Sequence, residues 1–219
     1  MKDRFYKIRI PKDELIQGKD LVHLRFIDTE NRENSYREIK NQMILESPPE
    51  LIAELAENSR VTNIIEPPVR TLGFIIDHKA KQIFNDFNIA DKTAFYDLKL
   101  IDRRQHHYLD YFYLHHISMM NSHINFEDSS FHIKNIITKA EEDVSFQNYS
   151  DLRHFTSNNI IKEIHSDRIS IDSEMKEYDF FKLALGDIAF YVSDRLKSAL
   201  EEAKITGVDF IEADFLSFE

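Results

Sequence analysis

Histidines and carboxylates crowd into one stretch of this sequence. His106-His107 and His115-His116 stand there with Asp102 and Asp110 beside them. Imidazole and carboxylate are natural ligands of zinc or manganese. The aromatic and apolar run from Tyr108 to Leu114 reads as a strand, on which side chains alternate between faces at about 3.3 Å per residue. His107 and His115 then share one face while Asp110 and His116 share the other, and the end-to-end separation is about 20 Å or more. One ion does not bridge that span, so no native metal site is expected. A metal-dependent hydrolase built on His107 and His115 stays as the enzymatic alternative.

Nucleophilic chemistry has as little to build on. The chain has no cysteine, which removes disulfides, thiolate zinc sites, iron–sulfur clusters and cysteine nucleophiles together. Neither a G-x-S-x-G elbow nor a supported S-x-x-K arrangement occurs. The four glycines, Gly18, Gly73, Gly186 and Gly207, lie too far apart to cradle a phosphate. His165 and Asp167 are same-face neighbours on a strand, an arrangement that orients an imidazole but more commonly is a solvated pair. Catalytic residues and cofactors are therefore not expected.

The charge balance points toward binding instead. Among 219 residues, 28 Lys and Arg face 39 Asp and Glu, giving a net charge of −11. Such a chain repels nucleic-acid phosphate and anionic lipid, so neither is an expected partner, whereas a basic protein is. Clustered carboxylates steer association with cationic surfaces. Glu141, Glu142 and Asp143 are the candidate partner-binding residues, with Glu201, Glu202, Asp209, Glu212 and Asp214 as a second acidic set. A solvated face has the same composition, but the first cluster lies in an insert where a partner-specific surface is free to diverge. Tyr111 and Tyr113 are of the type that anchors interfaces, although their place in the apolar run assigns them to a core.

The elements that must position these groups follow from periodicity. At 42% hydrophobic and 12% aromatic residues the chain lies outside the disordered class. Tyr6, Ile8 and Ile10 alternate with charged residues, as do Val22, Leu24 and Phe26, predicting two half-buried strands with a polar loop from Asp28 to Asn34 after them. Ser47-Pro48-Pro49-Glu50 predicts a helix start, with Leu51, Ile52, Leu55 and Ala56 as its apolar stripe and Asn58-Ser59 as its end. Further along, Phe131 and Ile133 predict a strand, Ile136 to Asp143 a helix, Ser145 to Asn159 a loop or weak helix, and Ile169 to Ile171 and Tyr178 to Leu183 two more strands. No run of apolar residues is long enough to span a membrane, and Met1 to Tyr6 has mixed charge with no apolar run behind it. The expected compartment is the cytoplasm.

Two segments repeat at an offset of 116. Ala80, Ile83, Phe84 and Phe87 have the spacing of a buried helical stripe, and Leu196, Ala199, Leu200 and Ala203 occupy the same four positions. Asp77 and Ser193 are matching N-caps behind Ile75-Ile76 and Tyr191-Val192. After each helix come Ile89 or Ile205, a turn, and a strand beginning near Phe95 or Phe210. Each copy reads strand, helix, strand.

The second copy carries Tyr178-Asp179-Phe180-Phe181-Lys182-Leu183, then Phe190-Tyr191-Val192-Ser193-Asp194-Arg195-Leu196-Lys197, then Ile205-Thr206-Gly207-Val208-Asp209-Phe210. This succession resembles the C-terminal signature of the immunity-protein-11 family of bacterial polymorphic toxin systems. The first copy is similar to a weaker upstream element of that family, and the resemblance covers residues 70 to 215. Asp77 stands where the family has serine. These are packing motifs and bring no catalytic residue. The resemblance implies a cytoplasmic protein that binds and neutralises a cognate toxin domain. A regulatory adaptor without a toxin partner is the alternative. The fold expected is α+β, with two strand–helix–strand units sharing one core in a mixed or antiparallel sheet. It is expected as a single domain over 1–219, divided as 1–69, 70–114, an insert at 115–177, and 178–219.

Overall fold

Apolar runs without alternation become strands buried on both faces. In the computed structural model, which describes residues 4–11, 24–26, 44–46, 48, 51–55, 59–67, 73–102 and 107–219, three sheets form. The first has six strands in the order β2 (Leu24–Phe26), β3 (Leu51–Leu55), β6 (Thr93–Asp102), β7 (His107–His116), β5 (Gly73–Ile76) and β4 (Ile64–Ile65). Its β3 and β6 are parallel and its other pairs antiparallel. The second, wholly antiparallel, orders β11 (Phe180–Ala184), β12 (Ile188–Ser193), β1 (Phe5–Arg9) and β13 (Asp209–Glu212). The third orders β14 (Leu216–Phe218), β10 (Lys162–Ile171), β8 (Ile124–Asn135) and β9 (Glu141–Val144), with β14 parallel to β10. Helices α1 (His78–Asn85), α2 (Tyr149–Asn158) and α3 (Asp194–Glu202), with two short 3-10 helices at Met120–His123 and Ser173–Glu177, complete the described elements. The protein is α+β with mostly antiparallel, mixed sheets.

Three cores hold these elements. On β7, Tyr111 and Tyr113 face one core with Leu51, Ile75 and Leu98, while Phe112 and Leu114 face another. That second core is where the first sheet, the second sheet, α1 and α3 meet; Ala80, Phe84, Leu196 and Leu200 are all buried in it. The opposite face of the second sheet, with Phe181, Leu183 and Tyr191, packs on Phe131, Ile133, Ile169 and Leu152 of the third sheet and α2. Tyr111 and Tyr113 are core residues, and the Tyr111 hydroxyl donates to the Thr62 carbonyl at 2.8 Å.

The two segments related by an offset of 116 share several local features, with elements of different length. Ile64 pairs with Ile76 and Ile65 with Ile75; likewise Phe180 pairs with Val192 and Phe181 with Tyr191. Asp77 and Ser193 cap their helices by accepting from the backbone N–H three residues on, at Ala80 and Leu196. Asp77 N–H donates to the Asn63 carbonyl and Ser193 N–H to the Asp179 carbonyl, both at 2.9 Å. In each case the strands flanking the helix run the same way with one antiparallel strand between them, β7 in the first sheet and β1 in the second. Lys81 Nζ stands 3.5 Å over the Phe112 ring of β7, and Lys197 Nζ 4.8 Å over the Tyr6 ring of β1. The two segments thus contribute to separate sheets.

Their loops cross over. Ala90 N–H, after α1, donates to Phe180 of β11 at 2.9 Å, and Ile64 N–H of β4 donates to Thr206, after α3, at 3.0 Å. Gly207 makes the second approach possible: with φ +89° it occupies the left-handed region, and a Cβ there would sit 2.0 Å from the Ile64 carbonyl oxygen.

Several sequence expectations change. The helix expected after Ser47 is strand β3, because Leu51, Ala53 and Leu55 alternate into a core and the backbone finds partners on both sides in β2 and β6. Ser47, Pro49, Glu50, Ala56 and Asn58 of that expectation lie outside the described residues, as do Val22 and the loop from Asp28 to Asn34. The helix expected from Ile136 to Asp143 is a turn followed by β9, whose backbone pairs with β8. Ser145 to Asn159 contains helix α2, capped by Asn148, whose Oδ1 accepts from Asp151 N–H at 3.1 Å.

Candidate functional site

The histidine pair that ends β7 is sealed. His115 and His116, at the end of β7, have no exposed surface. Neighbouring residues of one strand point to opposite faces, so His115 packs beside Tyr96 and Tyr113 in one core while His116 packs beside Phe180 and Phe190 in another. His116 Nδ1 meets Thr93 Oγ1 at 2.6 Å; among the described residues neither His115 nitrogen has a hydrogen-bond partner. Buried Lys182 of β11 donates to the His116 carbonyl at 2.6 Å. Burial and then the Lys182 charge hold the His115 pKa down at about 4 and that of His116 at about 3, so both rings are neutral at physiological pH. Burial lowers Lys182 itself to about 8. The side chain of His107, and all of His106, lie outside the described residues. No group of three or more potential metal ligands assembles among the described residues.

A cleft of about 790 Å³ lies where α1 meets the first sheet, lined in part by His78, Lys81, Asp97, Lys99, Asp110 and Phe112. Two of its charged groups pair with each other and a third lies over a ring. Lys99 is ion-paired with Asp110, whose pKa that hydrogen bond lowers, and Lys81 is occupied over the Phe112 ring.

Glu141, Glu142 and Asp143 form β9, an edge strand of the third sheet, and all three are exposed. Lysines of β8 and β10 meet two of them: Lys134 pairs with Glu141 at 2.5 Å and Lys162 with Glu142 at 2.8 Å. The hydrogen bond from Lys134 lowers the Glu141 pKa. Asp143 lies opposite His132 and has no ion pair among the described residues. Among the described residues β9 pairs only with β8, which makes it an edge strand of that sheet. Charged side chains on such an edge also deter indiscriminate strand pairing.

The His165–Asp167 pair does not form. A register shift in β10 between Ser166 and Arg168 breaks the alternation, and Asp167 instead meets His132 Nδ1 at 3.2 Å. His165 stacks on His132 at 5.2 Å and lies 3.7 Å from Glu163. The second acidic set disperses: Glu201 pairs with Lys197, Asp209 with Arg9 and Glu212 with Arg4.

Sequence reasoning passed over the residues beside β9. Ile136 and Ile137 occupy the β8–β9 turn, Ile160 and Ile161 the α2–β10 connection, and all four are exposed. The available signal was two Ile-Ile pairs, each directly following a turn-forming asparagine, Asn135 or Asn159. No described helix is long and apolar enough to cross a membrane. No protein-family model matches the chain, and no curated protein matches its sequence.

Proposed function

We propose that this chain is an immunity protein of the cytoplasm, binding a cognate bacterial toxin domain and neutralising it by stoichiometric protein–protein inhibition, without turnover or cofactor. The observation that carries the reading is β9, an acidic strand that among the described residues pairs only with β8 at the edge of its sheet, on a protein of net charge −11. Such a surface steers a cationic partner and offers it main-chain groups to pair with. The motif resemblance over 178–210 supports the same reading. The equal hairpin registers, caps and lysine–ring contacts at an offset of 116 support a duplicated strand–helix–strand unit as the platform.

The test is co-expression. The C-terminal domain encoded by the neighbouring toxin gene should arrest a bacterial host, and this protein should restore growth and co-purify with it. A host that stays arrested, with no complex recovered, overturns the reading; a regulatory adaptor would give that result.

A further inference from the structure

We infer that the four isoleucines at the end of the third sheet, Ile136, Ile137, Ile160 and Ile161, anchor a cationic protein partner beside β9. This inference rests on the immunity reading and assigns its docking surface. The side chains are 41%, 71%, 88% and 41% exposed in that order, and none belongs to the three cores. Turn geometry does not call for them: turns are built by Gly, Pro, Asn, Asp and Ser, and Asn135 and Asn159 fill that role here. Asn135 Oδ1 accepts from the N–H groups of Ile137 and Thr138 at 2.9 and 3.0 Å. Lys162 N–H closes the other turn on the Asn159 carbonyl at 2.9 Å.

The two turns are tied together, because Ile136 N–H donates to the Ile161 carbonyl at 2.9 Å. The apolar end is therefore organised before any partner arrives, which lowers the ordering cost of docking. The strands leaving these turns carry Glu141, Glu142 and Asp143 of β9 and Glu163 of β10 against Lys134 of β8, Lys139 of the turn segment and Lys162 of β10, a surplus of one negative charge in which Glu141 and Glu142 are paired with Lys134 and Lys162. An aliphatic centre with a charged rim is the anatomy of a protein interface. The negative surplus of this rim and of the whole chain selects the occupant. A second copy brings the same −11 charge and is repelled, as is an anionic bilayer. A protein with an apolar pocket ringed by Lys and Arg satisfies both parts of the surface.

The test compares the wild-type chain, the double variant Ile137→Ser/Ile160→Ser and the control Ile211→Ser, an exposed isoleucine on β13. Each is titrated calorimetrically against the purified C-terminal domain of the neighbouring toxin gene. Thermal melts should coincide, since the substituted side chains are exposed. The double variant should bind about tenfold more weakly or worse, and the control within about twofold of wild type. Equal affinity of the double variant and wild type would overturn the docking assignment and leave the immunity reading standing. Absence of wild-type binding would remove both. Isoleucine-dependent dimerisation in sedimentation, or isoleucine-dependent flotation with neutral phosphatidylcholine vesicles, would name a different occupant and overturn the assignment.

Discussion

Lowering the pH from 7 to 5 should cost this fold about 4 kcal/mol through the two buried imidazoles of β7 alone. Both His115 and His116 have folded-state pKa values below the unfolded value of 6.5, at about 4 and about 3. A depressed pKa means that the unfolded chain binds more protons, so the stability is complete above pH 6.5 and is lost as pH falls toward 4 and then 3. Over two pH units beginning just above 6.5, each ring contributes about 2 kcal/mol. His115→Phe isolates half of this. The His115 ring donates and accepts no hydrogen bond among the described residues, and its neighbours Tyr96 and Tyr113 are themselves aromatic. At pH 7 the substitution should change stability by less than about 1.5 kcal/mol. Urea unfolding followed by tyrosine fluorescence, at pH 7, 6 and 5, reads the difference; the carboxylates stay largely ionised across that range. The variant should lose about 2 kcal/mol less than wild type by pH 5. Parallel pH dependences for the two proteins would refute the placement of His115 in a dry core.

Other substitutions test the remaining packing. Burial lowers Lys182 from 10.5 to about 8, so wild-type stability should rise as pH climbs through 8 to 10.5, and Lys182→Met should abolish that rise in denaturant titrations. Gly207→Ala forces a side chain into a positive-φ position 2.0 Å from a carbonyl oxygen and should destabilise by about 3 kcal/mol or more in thermal melts. Asp179 is buried and accepts from Ser193 Oγ at 2.5 Å, from Arg195 and from the Asn88 N–H at 3.1 Å. Asp179→Ala should therefore cost about 3 kcal/mol by urea unfolding, against about 1 kcal/mol for loss of the partly buried cap in Asp77→Ala.

The parts of the fold legible from sequence were those in which local and tertiary preferences agree. At α1 and α3 a capping side chain precedes a stripe at helical spacing, and two residues of each stripe, Ala80 and Phe84 or Leu196 and Leu200, are buried while the others are partly buried. The run in β7 is long and apolar because both of its faces are covered. At β3 the two preferences conflict. Leu51, Ile52 and Leu55 fit a helical stripe after a proline pair, yet Leu51, Ala53 and Leu55 fit alternation equally, and pairing with β2 and β6 decides the matter. No local pattern reports such distant partners. The β8–β9 turn was hidden for the opposite reason, since its isoleucines face outward and mimic a helix stripe. Of the candidate site, the acidic strand was legible as a charge run. The lysines that meet Glu141 and Glu142 come from neighbouring strands whose register only the fold supplies. The bulge that turns Asp167 from His165 to His132 left no mark in composition.

The most direct test of the account is an inhibition titration. Purified toxin domain from the neighbouring gene, held at a concentration well above the dissociation constant, is assayed for activity against increasing amounts of this protein. Stoichiometric binding predicts activity that falls linearly and breaks at one molecule of inhibitor per toxin domain, with the endpoint independent of incubation time. Loss of activity that deepens with time at substoichiometric amounts would mean turnover, and would contradict the account.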